Sequence, residues 1–574
     1  MPATPAPPAQ MSALPAQPPS AANDAPSAPP RDQGPRPAYR DAVVYQIYWR
    51  AFGDPTQGAQ SMVERLPDLK HLGVTDLWIT PMYPSPQKDW GYDISNYFAV
   101  DKNFGTEAQF DHLVTQARAH GMRIMVDMVL NHVSDQHSWF LDVKHHGRRS
   151  AWYRYFIWGD ATSSGGPPDQ RRSVWDAAPG SAWRWVPEVG QYVLHTFTEQ
   201  QIDVDWTNPA VRRSMADIVV HWGKRGVGGF RFDVIDLIDK QPGKPQLRGW
   251  LAELYDRALS QKDFVTVGEM MEVTPESLGQ YTQAGQRGLN MVFNFQFPLL
   301  TADATTGNKF LVRHPAPEEI KHYFERWQTA ATNQGGHNAV YVGNHDWARV
   351  VSRFGASVKD GTLTDDVRQA VARLYALLLL THRGTPFIYQ GDELGLANTV
   401  HDSLDAYQDP ESLNYHRDRL QEPGITHDMA LGEVQRGSRD AARSPLPWAA
   451  TGPFSVDEQQ KSPTSVLRFY QELIALRQQT SALVDGGYRR HDHAGDGPYI
   501  FSRQLPDGQQ IVIVANLNDT AQPLAWPHDL ADLKIYTELL TTHAAAAQCH
   551  TSTLTLQPYE ARIYSGPIGP NQPE

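Results

Sequence analysis

The 574-residue sequence predicts an α/β chain: a (β/α)8 TIM barrel with an inserted subdomain after strand 3 and a C-terminal antiparallel β-sandwich domain. Three observations predict it. Short apolar runs alternate with amphipathic stretches from Asp41 to Tyr389, the pattern of a parallel sheet covered by helices, and eight such units close a barrel. Three of the runs close on a carboxylate: Asp233 in G-F-R-F-D-V, Glu269 in V-T-V-G-E-M and Asp346 in Y-V-G-N-H-D. Barrel enzymes collect their chemistry at such strand ends. After about Asp485 the texture changes to short alternating runs, Tyr499–Arg503, Gln510–Asn516 and Thr551–Leu556, which read as a small antiparallel domain.

The elements follow in order. Residues 1–38 are rich in Pro, Ala and Ser, carry too little apolar surface to order themselves, and read as a disordered tail. The barrel's first part is expected over 39–132. Val43–Phe52 is its first strand, and Ser61–Leu72 a helix with Met62, Val63, Leu66, Leu69 and Leu72 near helical spacing. Asp76–Pro81 is the second strand. Thr106–His120 is a helix that Thr106 can cap, and Arg123–His132 the third strand. The stretch 133–201, about 70 residues rich in Trp, Tyr, Gly and Arg, exceeds an ordinary loop and reads as a subdomain over the barrel mouth. The barrel resumes over 202–485. Pro209–Lys224 is a helix with proline in its first turn, and strands then end at Asp233, Glu269, Phe295 and Asp346. Asp365–His382 is a helix and Thr385–Tyr389 the last barrel strand. The terminal β domain is expected over 486–566, with a tail at 567–574.

Composition narrows the function. Hydrophobic residues make up 40% and charged residues 20%, an ordinary globular balance. The formal net charge of −13 argues against a nucleic-acid partner. Cys549 is the single cysteine, which excludes an intrachain disulfide and a cysteine-based zinc site. There is no apolar run of about 18 residues to span a membrane. No basic stretch leads into an apolar one at the N-terminus, so the expected location is cytoplasmic. The clusters K-H-H-G-R-R (Lys144–Arg149) and H-D-H (His491–His493) lack a third well-spaced ligand and read as solvated loops. No metal and no cofactor is expected.

Paired carboxylates at strand ends are what glycoside hydrolysis requires. Arg231 lies two residues before Asp233, so strand alternation puts both on one face, where a cation favours an ionised carboxylate. Met270 and Met271 give Glu269 an apolar setting that raises an acid's pKa.

G-Y-D-I-S (Gly91–Ser95), D-M-V-L-N-H (Asp127–His132), G-F-R-F-D-V (Gly229–Val234), V-G-E-M (Val267–Met270) and G-N-H-D (Gly343–Asp346) together resemble the ordered motifs of the α-amylase superfamily of glycoside hydrolases. The resemblance spans about residues 40–565. It implies Asp233 as nucleophile, Glu269 as general acid/base and Asp346 as transition-state stabiliser. Asp93, Tyr92, His132, Arg231 and His345 would hold the sugar in the first subsite. Within the superfamily, V-Y-Q-I-Y (Val44–Tyr48), S-A-W-R-W (Ser181–Trp185), Y-V-L-H-T-F (Tyr192–Phe197) and G-S-R-D-A-A-R-S-P-L-P-W (Gly437–Trp448) resemble the oligo-1,6-glucosidase and α-glucosidase branch. There Arg439, together with Asp93, would grip the non-reducing glucose and make the enzyme exo-acting. Val234 resembles members that accept α-1,6 bonds.

The expected function is therefore retaining, exo-acting hydrolysis of short α-glucosides, with transglucosylation if a sugar hydroxyl replaces water. The expected partner is a small oligosaccharide or disaccharide. L-N-M-V-F-N-F (Leu289–Phe295), G-N-K-F (Gly307–Phe310) and V-V-S-R-F-G (Val350–Gly355) also resemble trehalose-6-phosphate hydrolases, for which Lys309, Arg313 and Lys321 are the phosphate candidates. Y-P-S-P (Tyr83–Pro86) and S-D-Q-H (Ser134–His137) resemble trehalose synthase. A catalytically silent, amylase-like interaction protein would lack the acids that this chain carries. Three departures stand out. The loop Gly53–Gln60 has one carboxylate, Asp54, too few oxygens for calcium. The stretch between Asp233 and Glu269 is shorter than in typical relatives. Trp347 follows Asp346 where relatives carry Gln, offering a ring that could stack on the leaving sugar or simply pack.

Overall fold

The computed structural model describes residues 37–173, 180–355, 363–449, 451–492, 495–506, 508, 510–543 and 554–567. Residues 1–36, His493, Cys549 and nearly all of 567–574 lie outside them.

Eight parallel strands form the barrel: β1 Val44–Ile47, β2 Asp76–Ile79, β3 Arg123–Val129, β4 Gly229–Asp233, β5 Val265–Met270, β6 Met291–Asn294, β7 Ala339–Tyr341 and β8 Thr385–Tyr389. Their order is β6-β5-β4-β3-β2-β1-β8-β7, and a parallel bridge from Val292 to Asn338 closes the ring between β6 and β7. The surrounding helices are α1 Gly58–Leu72, α2 Glu107–Ala119, α3 Pro209–Lys224, α4 Leu247–Arg257, the single turn α5 Gly279–Thr282, α6 Pro317–Asn333, α7 Asp365–Thr381 and α8 Val466–Gln479. Local chemistry sets their ends. Thr106 and Gln109 form a reciprocal capping box at α2, Asn208 caps α3 ahead of Pro209, and Thr364 caps α7.

Alternation along the strands sorts residues between two cores. The outward positions join the helices in one large cluster that includes Tyr45, Leu77, Phe230 and Ile388. The inward positions Val44, Trp78, Met125, Val265, Val267, Met291, Phe293, Ala339, Tyr341 and Phe387 fill the barrel. The turn Ala38–Asp41 stoppers its N-terminal end, where Thr385 Oγ1 donates to the Tyr39 carbonyl. The same inward series turns polar toward the strands' C-terminal ends: Met125 is followed two residues on by Asp127, Gly229 by Arg231 and Asp233, Val267 by Glu269. Parallel register sets Asp127 beside Arg231 and Arg231 beside Val267. The strand period that packs the barrel thereby delivers the charged groups to one face.

Three strands differ from the sequence expectation. The first stops at Ile47, and Trp49–Ala51 is a 3-10 turn. The third stops at Val129. His132–Ser134 pairs instead, antiparallel, with Gln201–Asp203 and forms the root of the inserted segment. The seventh is Ala339–Tyr341, and Asp346 sits beyond it in a loop whose Asn344 Oδ1 accepts the Asp346 N–H at 2.9 Å. Gly343 lets that loop press on the segment after β8: a Cβ there would lie 2.9 Å from Asp392 Oδ2.

The inserted segment carries helix Ser138–His146 and a three-stranded antiparallel sheet of Trp158–Gly159, Gln191–Leu194 and Trp183–Val186. Stacked rings hold it together, Trp139 on Trp152 at 5.3 Å and Tyr153 on Trp158 at 5.2 Å. At the C-terminal end five antiparallel strands run in the order Gly487–Arg490, Tyr499–Gln504, Gln510–Ala515, Ala561–Gly566, Thr537–Thr541. A two-stranded ribbon, Gln522–Leu524 with Leu554–Leu556, packs on this sheet through Val512, Val514, Leu524, Leu556 and Tyr564. Buried Lys321 of α6 joins barrel to sheet, donating to Asp492 and to the carbonyls of Gly495 and Gly497. Among the described residues no helix is long and apolar enough to cross a membrane.

Candidate active site

Arg231 is the hub of the site. Its buried guanidinium holds Asp127 at 2.8 Å and Asp233 at 2.6 Å through Nη1, and Glu269 at 2.6 Å through Nη2. One planar fork thus spans the two acids from neighbouring strands. The acid side chains of Asp233 and Glu269 are 9% and 7% exposed, so both look into a narrow space. Glu269 also accepts the Val234 N–H at 3.2 Å. Val234 takes a left-handed conformation (φ 34°), which is rare for a β-branched residue, and this turns the chain sharply behind Asp233.

Burial dominates the protonation of this pair. It raises Glu269 to about 7, against the pull of Arg231. It raises Asp233 too, opposed by Arg231 and reinforced by the neighbouring Glu269 charge. Arg231 favours the ionised form of Asp233, as its place two residues earlier on the strand leads one to expect, but burial acts the other way and is the larger effect. One cation shared among three carboxylates does not offset desolvation, so both acids titrate above their ordinary range.

Asp346 has the opposite electrostatics. Burial works against its charge, but His345, Arg439, Arg443 and Arg231 together outweigh it and hold the carboxyl well below the usual range. Burial keeps His345 itself neutral down to about 3, so at neutral pH the arginines supply the positive charge. Arg439 Nη1 and Arg443 Nη2 both reach Asp346 Oδ1 at 2.9 Å, and His345 Nε2 lies 3.1 Å from Oδ2. Gln46 from β1 meets the other ring nitrogen of His345 at 2.7 Å and fixes the imidazole. The Tyr92 ring stacks on His345 at 5.4 Å, and its hydroxyl donates to Asp127 at 3.0 Å. The structure thus brings Asp233, Glu269, Asp346, Arg231, His345, Tyr92 and Arg439 together.

Asp93 is not among them. It is fully buried and serves its own loop, accepting from Ser85 Oγ and from the N–H groups of Lys88 and Asp89. Arg439 pairs instead with Asp409 through Nε at 2.7 Å and with Asp89 through Nη2 at 3.1 Å. The chain between the two aspartates turns through left-handed Trp90 and Gly91, so Asp93 folds back while Asp89 faces the arginine. His132 borders the site: its Nε2 lies 3.0 Å from Gln201 Nε2, which also donates to Asp89. Burial lowers His132 to about 4, so it is neutral. Trp347 is packed rather than presented for stacking. Its ring is buried against the cations of Lys309 at 5.5 Å and Arg353 at 5.7 Å.

Sequence reasoning passed over Asp89, Asp127 as a charged partner, Arg443 and Gln201. Arg443 had a legible signal, since it lies in the same short motif that supplies Arg439. Asp54 is engaged by Thr56 and Gln57. His146 pairs with Asp142, and His491 with Asp529. Among the described residues no group of three metal-ligating side chains forms.

Comparison with known proteins agrees with this geometry. The alpha amylase catalytic-domain model matches residues 46–486. An oligo-1,6-glucosidase of Halalkalibacterium halodurans is 33% identical, over 92% of this chain and 99% of its own. A palatinase of Erwinia rhapontici is 34% identical, over 92% and 98%. The crystal structure of Bacillus licheniformis trehalose-6-phosphate hydrolase superposes with a TM-score of 0.84 at 31% identity, covering 93% of this chain and all of that one. A barrel that converges three carboxylates on one arginine, matched across most of its length, places this chain in the alpha-amylase family of glycoside hydrolases.

Proposed function

We propose that the protein is a retaining, exo-acting α-glucosidase that hydrolyses short α-glucosides, isomaltose-type α-1,6 bonds first and α-1,4 bonds second. Asp233 attacks the anomeric carbon while Glu269 protonates the departing oxygen. Water, activated by Glu269 as base, then releases glucose from Asp233. The raised pKa of Glu269 suits a group that must hold a proton near neutrality and lose it a step later. Asp346, kept ionised by its arginines, faces the positive charge that develops on the ring. Transfer to a sugar hydroxyl uses the same intermediate. We assign the enzyme to the cytoplasm.

The observation that carries exo action is the link from Asp346 through Arg439 to Asp89. These side chains come from three separate loops, and their buried ion pairs would close the site behind a terminal ring. The phosphorylated-substrate alternative needs free cations at the mouth. Lys309 is paired with Glu411, Arg313 with Glu319, and Lys321 with Asp492, which favours a neutral sugar. Product analysis on isomaltose, maltose, sucrose, trehalose and trehalose 6-phosphate tests the reading. Glucose released one unit at a time from isomaltose, with the α-anomer formed first, is the expected result. Preference for the phosphorylated sugar would overturn the substrate class.

A further inference from the structure

The loop between β6 and α6, which carries the G-N-K-F segment Gly307–Phe310, reaches the site. It is stiff by construction. Asp303 Oδ1 accepts from Thr305 N, Thr306 N and Thr306 Oγ1, Asp303 N donates to the Asn308 carbonyl, and Gly307 supplies the left-handed turn. Asn308 Oδ1 then accepts the Phe310 N–H at 2.9 Å. The loop thereby presents Lys309 and Phe310 in one fixed arrangement.

Both residues engage the loop after β8, which delivers Arg439. Phe310 is buried and stacks on Tyr415 with ring centres 4.1 Å apart. Gly437, two residues before Arg439, lies against it: a Cβ there would stand 2.5 Å from Phe310 Cα and 2.7 Å from the Lys309 carbonyl. The Lys309 ammonium pairs with Glu411, whose carboxylate is 3.9 Å from Arg439 Nε, and donates at 3.3 Å to the main-chain carbonyl of Asp346. Arg439 thus holds the side chain of Asp346 while Lys309 holds its backbone; Glu411 pairs with Lys309 and lies beside Arg439, whose Nε itself donates to Asp409 at 2.7 Å.

We infer that Lys309, with Glu411, is a positioning residue for the Asp346–Arg439 pair, locking the loops after β6, β7 and β8 in catalytic register. The inference rests on Asp346 acting in glucosyl transfer as proposed above. It explains why a lysine at the mouth is neutralised by a carboxylate instead of standing free for a substrate anion. A misplacement of about 1 Å at the reacting groups costs roughly 100-fold in rate, so a latch that fixes one backbone carbonyl has leverage.

The test compares wild type with Lys309→Met, Lys309→Arg, Glu411→Gln and the double variant Lys309→Met/Glu411→Gln. kcat and KM are read on p-nitrophenyl α-glucoside, with thermal melting alongside. Lys309→Met is expected to lose about 10- to 100-fold in kcat with KM changed less than about threefold. Lys309→Arg should recover most of that loss. The double variant should be no worse than Lys309→Met alone, because the two residues act as one unit. A Lys309→Met enzyme within about twofold of wild type overturns the inference. So does a loss that tracks the melting temperature and is not restored by arginine, or one confined to trehalose 6-phosphate, which would make Lys309 a substrate contact. Asp233→Asn, run in parallel, separates the two levels. Its persistence in turnover would sink the reading of the acids, whereas an inert Asp233→Asn beside a fully active Lys309→Met sinks the latch alone.

Discussion

Asp346 and Arg439, 93 positions apart in the chain, meet at 2.9 Å, and the same guanidinium continues to Asp89 at 3.1 Å. Arg439 therefore ties the loop carboxylate of Asp346 to a second acid that no strand carries. In the reaction proposed above, binding of the terminal ring and stabilisation of its charge would be coupled through this one side chain.

This separates the roles of two nearby aspartates. Asp89→Asn is expected to lower kcat/KM by about 10- to 100-fold with little change in melting temperature, since it weakens the grip of Arg439 without opening the fold. Asp93→Asn is expected to cost about 1–3 kcal/mol of stability, because three loop donors lose a charged acceptor. Steady-state kinetics and thermal melting on both variants check the pair. The reverse pattern would restore Asp93 to the sugar.

Glu269 gives a second prediction. With its carboxyl near 7, it holds the proton below that pH, so the step that expels the leaving group should weaken as pH rises through about 7. The value belongs to the interacting pair with Asp233, so the profile reports the pair. Glu269→Gln should remove the alkaline limb. It should also spare p-nitrophenyl α-glucoside more than isomaltose, because nitrophenolate leaves without help from an acid. Equal losses on the two substrates would deny Glu269 the acid's role.

These residues differ in how visible they were in the chain. Strand alternation alone placed Arg231 with Asp233 and carried Glu269 to the same face, because the spacing that fills a barrel also aims its last inward residues. Asp346 followed a correct apolar run to the wrong boundary, since the strand stops at Tyr341 and a loop pressed on Asp392 completes the approach. Asp89 and Asp93 could not be told apart by pattern. The left-handed turn at Trp90 and Gly91 decides which one faces Arg439, and a non-glycine residue there gives no warning. The Lys309–Glu411 contact joins residues 102 positions apart and leaves no local trace.

The junction between barrel and terminal sheet yields a third prediction. Lys321 is fully buried, and its three donations are to Asp492, Gly495 and Gly497. Lys321→Met takes this donor from the two carbonyls and leaves Asp492 to Arg490 and the Ile500 N–H, and should cost about 1–3 kcal/mol. Because Lys321 lies on α6, outside the cluster around Arg231, kcat at low temperature should stay within about twofold of wild type. Melting curves and rates measured well below the transition separate the two effects.

A last prediction concerns buried acids behind the site. Asp392 is 2% exposed and poorly satisfied: the Tyr389 N–H approaches it, and Arg349 Nη1 is 3.9 Å away. Burial, only partly opposed by Arg349, raises its pKa from 3.8 to about 6. A carboxyl whose folded value lies above its unfolded value binds more protons in the native state between the two. Stability from this group is therefore present below about pH 4 and is lost as pH rises to about 6, after which the difference stays constant. Asparagine has the same shape and never ionises. Asp392→Asn should match wild type near pH 4 and exceed it by about 1–3 kcal/mol at pH 8. Denaturant titrations at the two pH values measure the difference directly. A variant that loses stability equally at both would mean that the Asp392 charge is held by an interaction stronger than its desolvation.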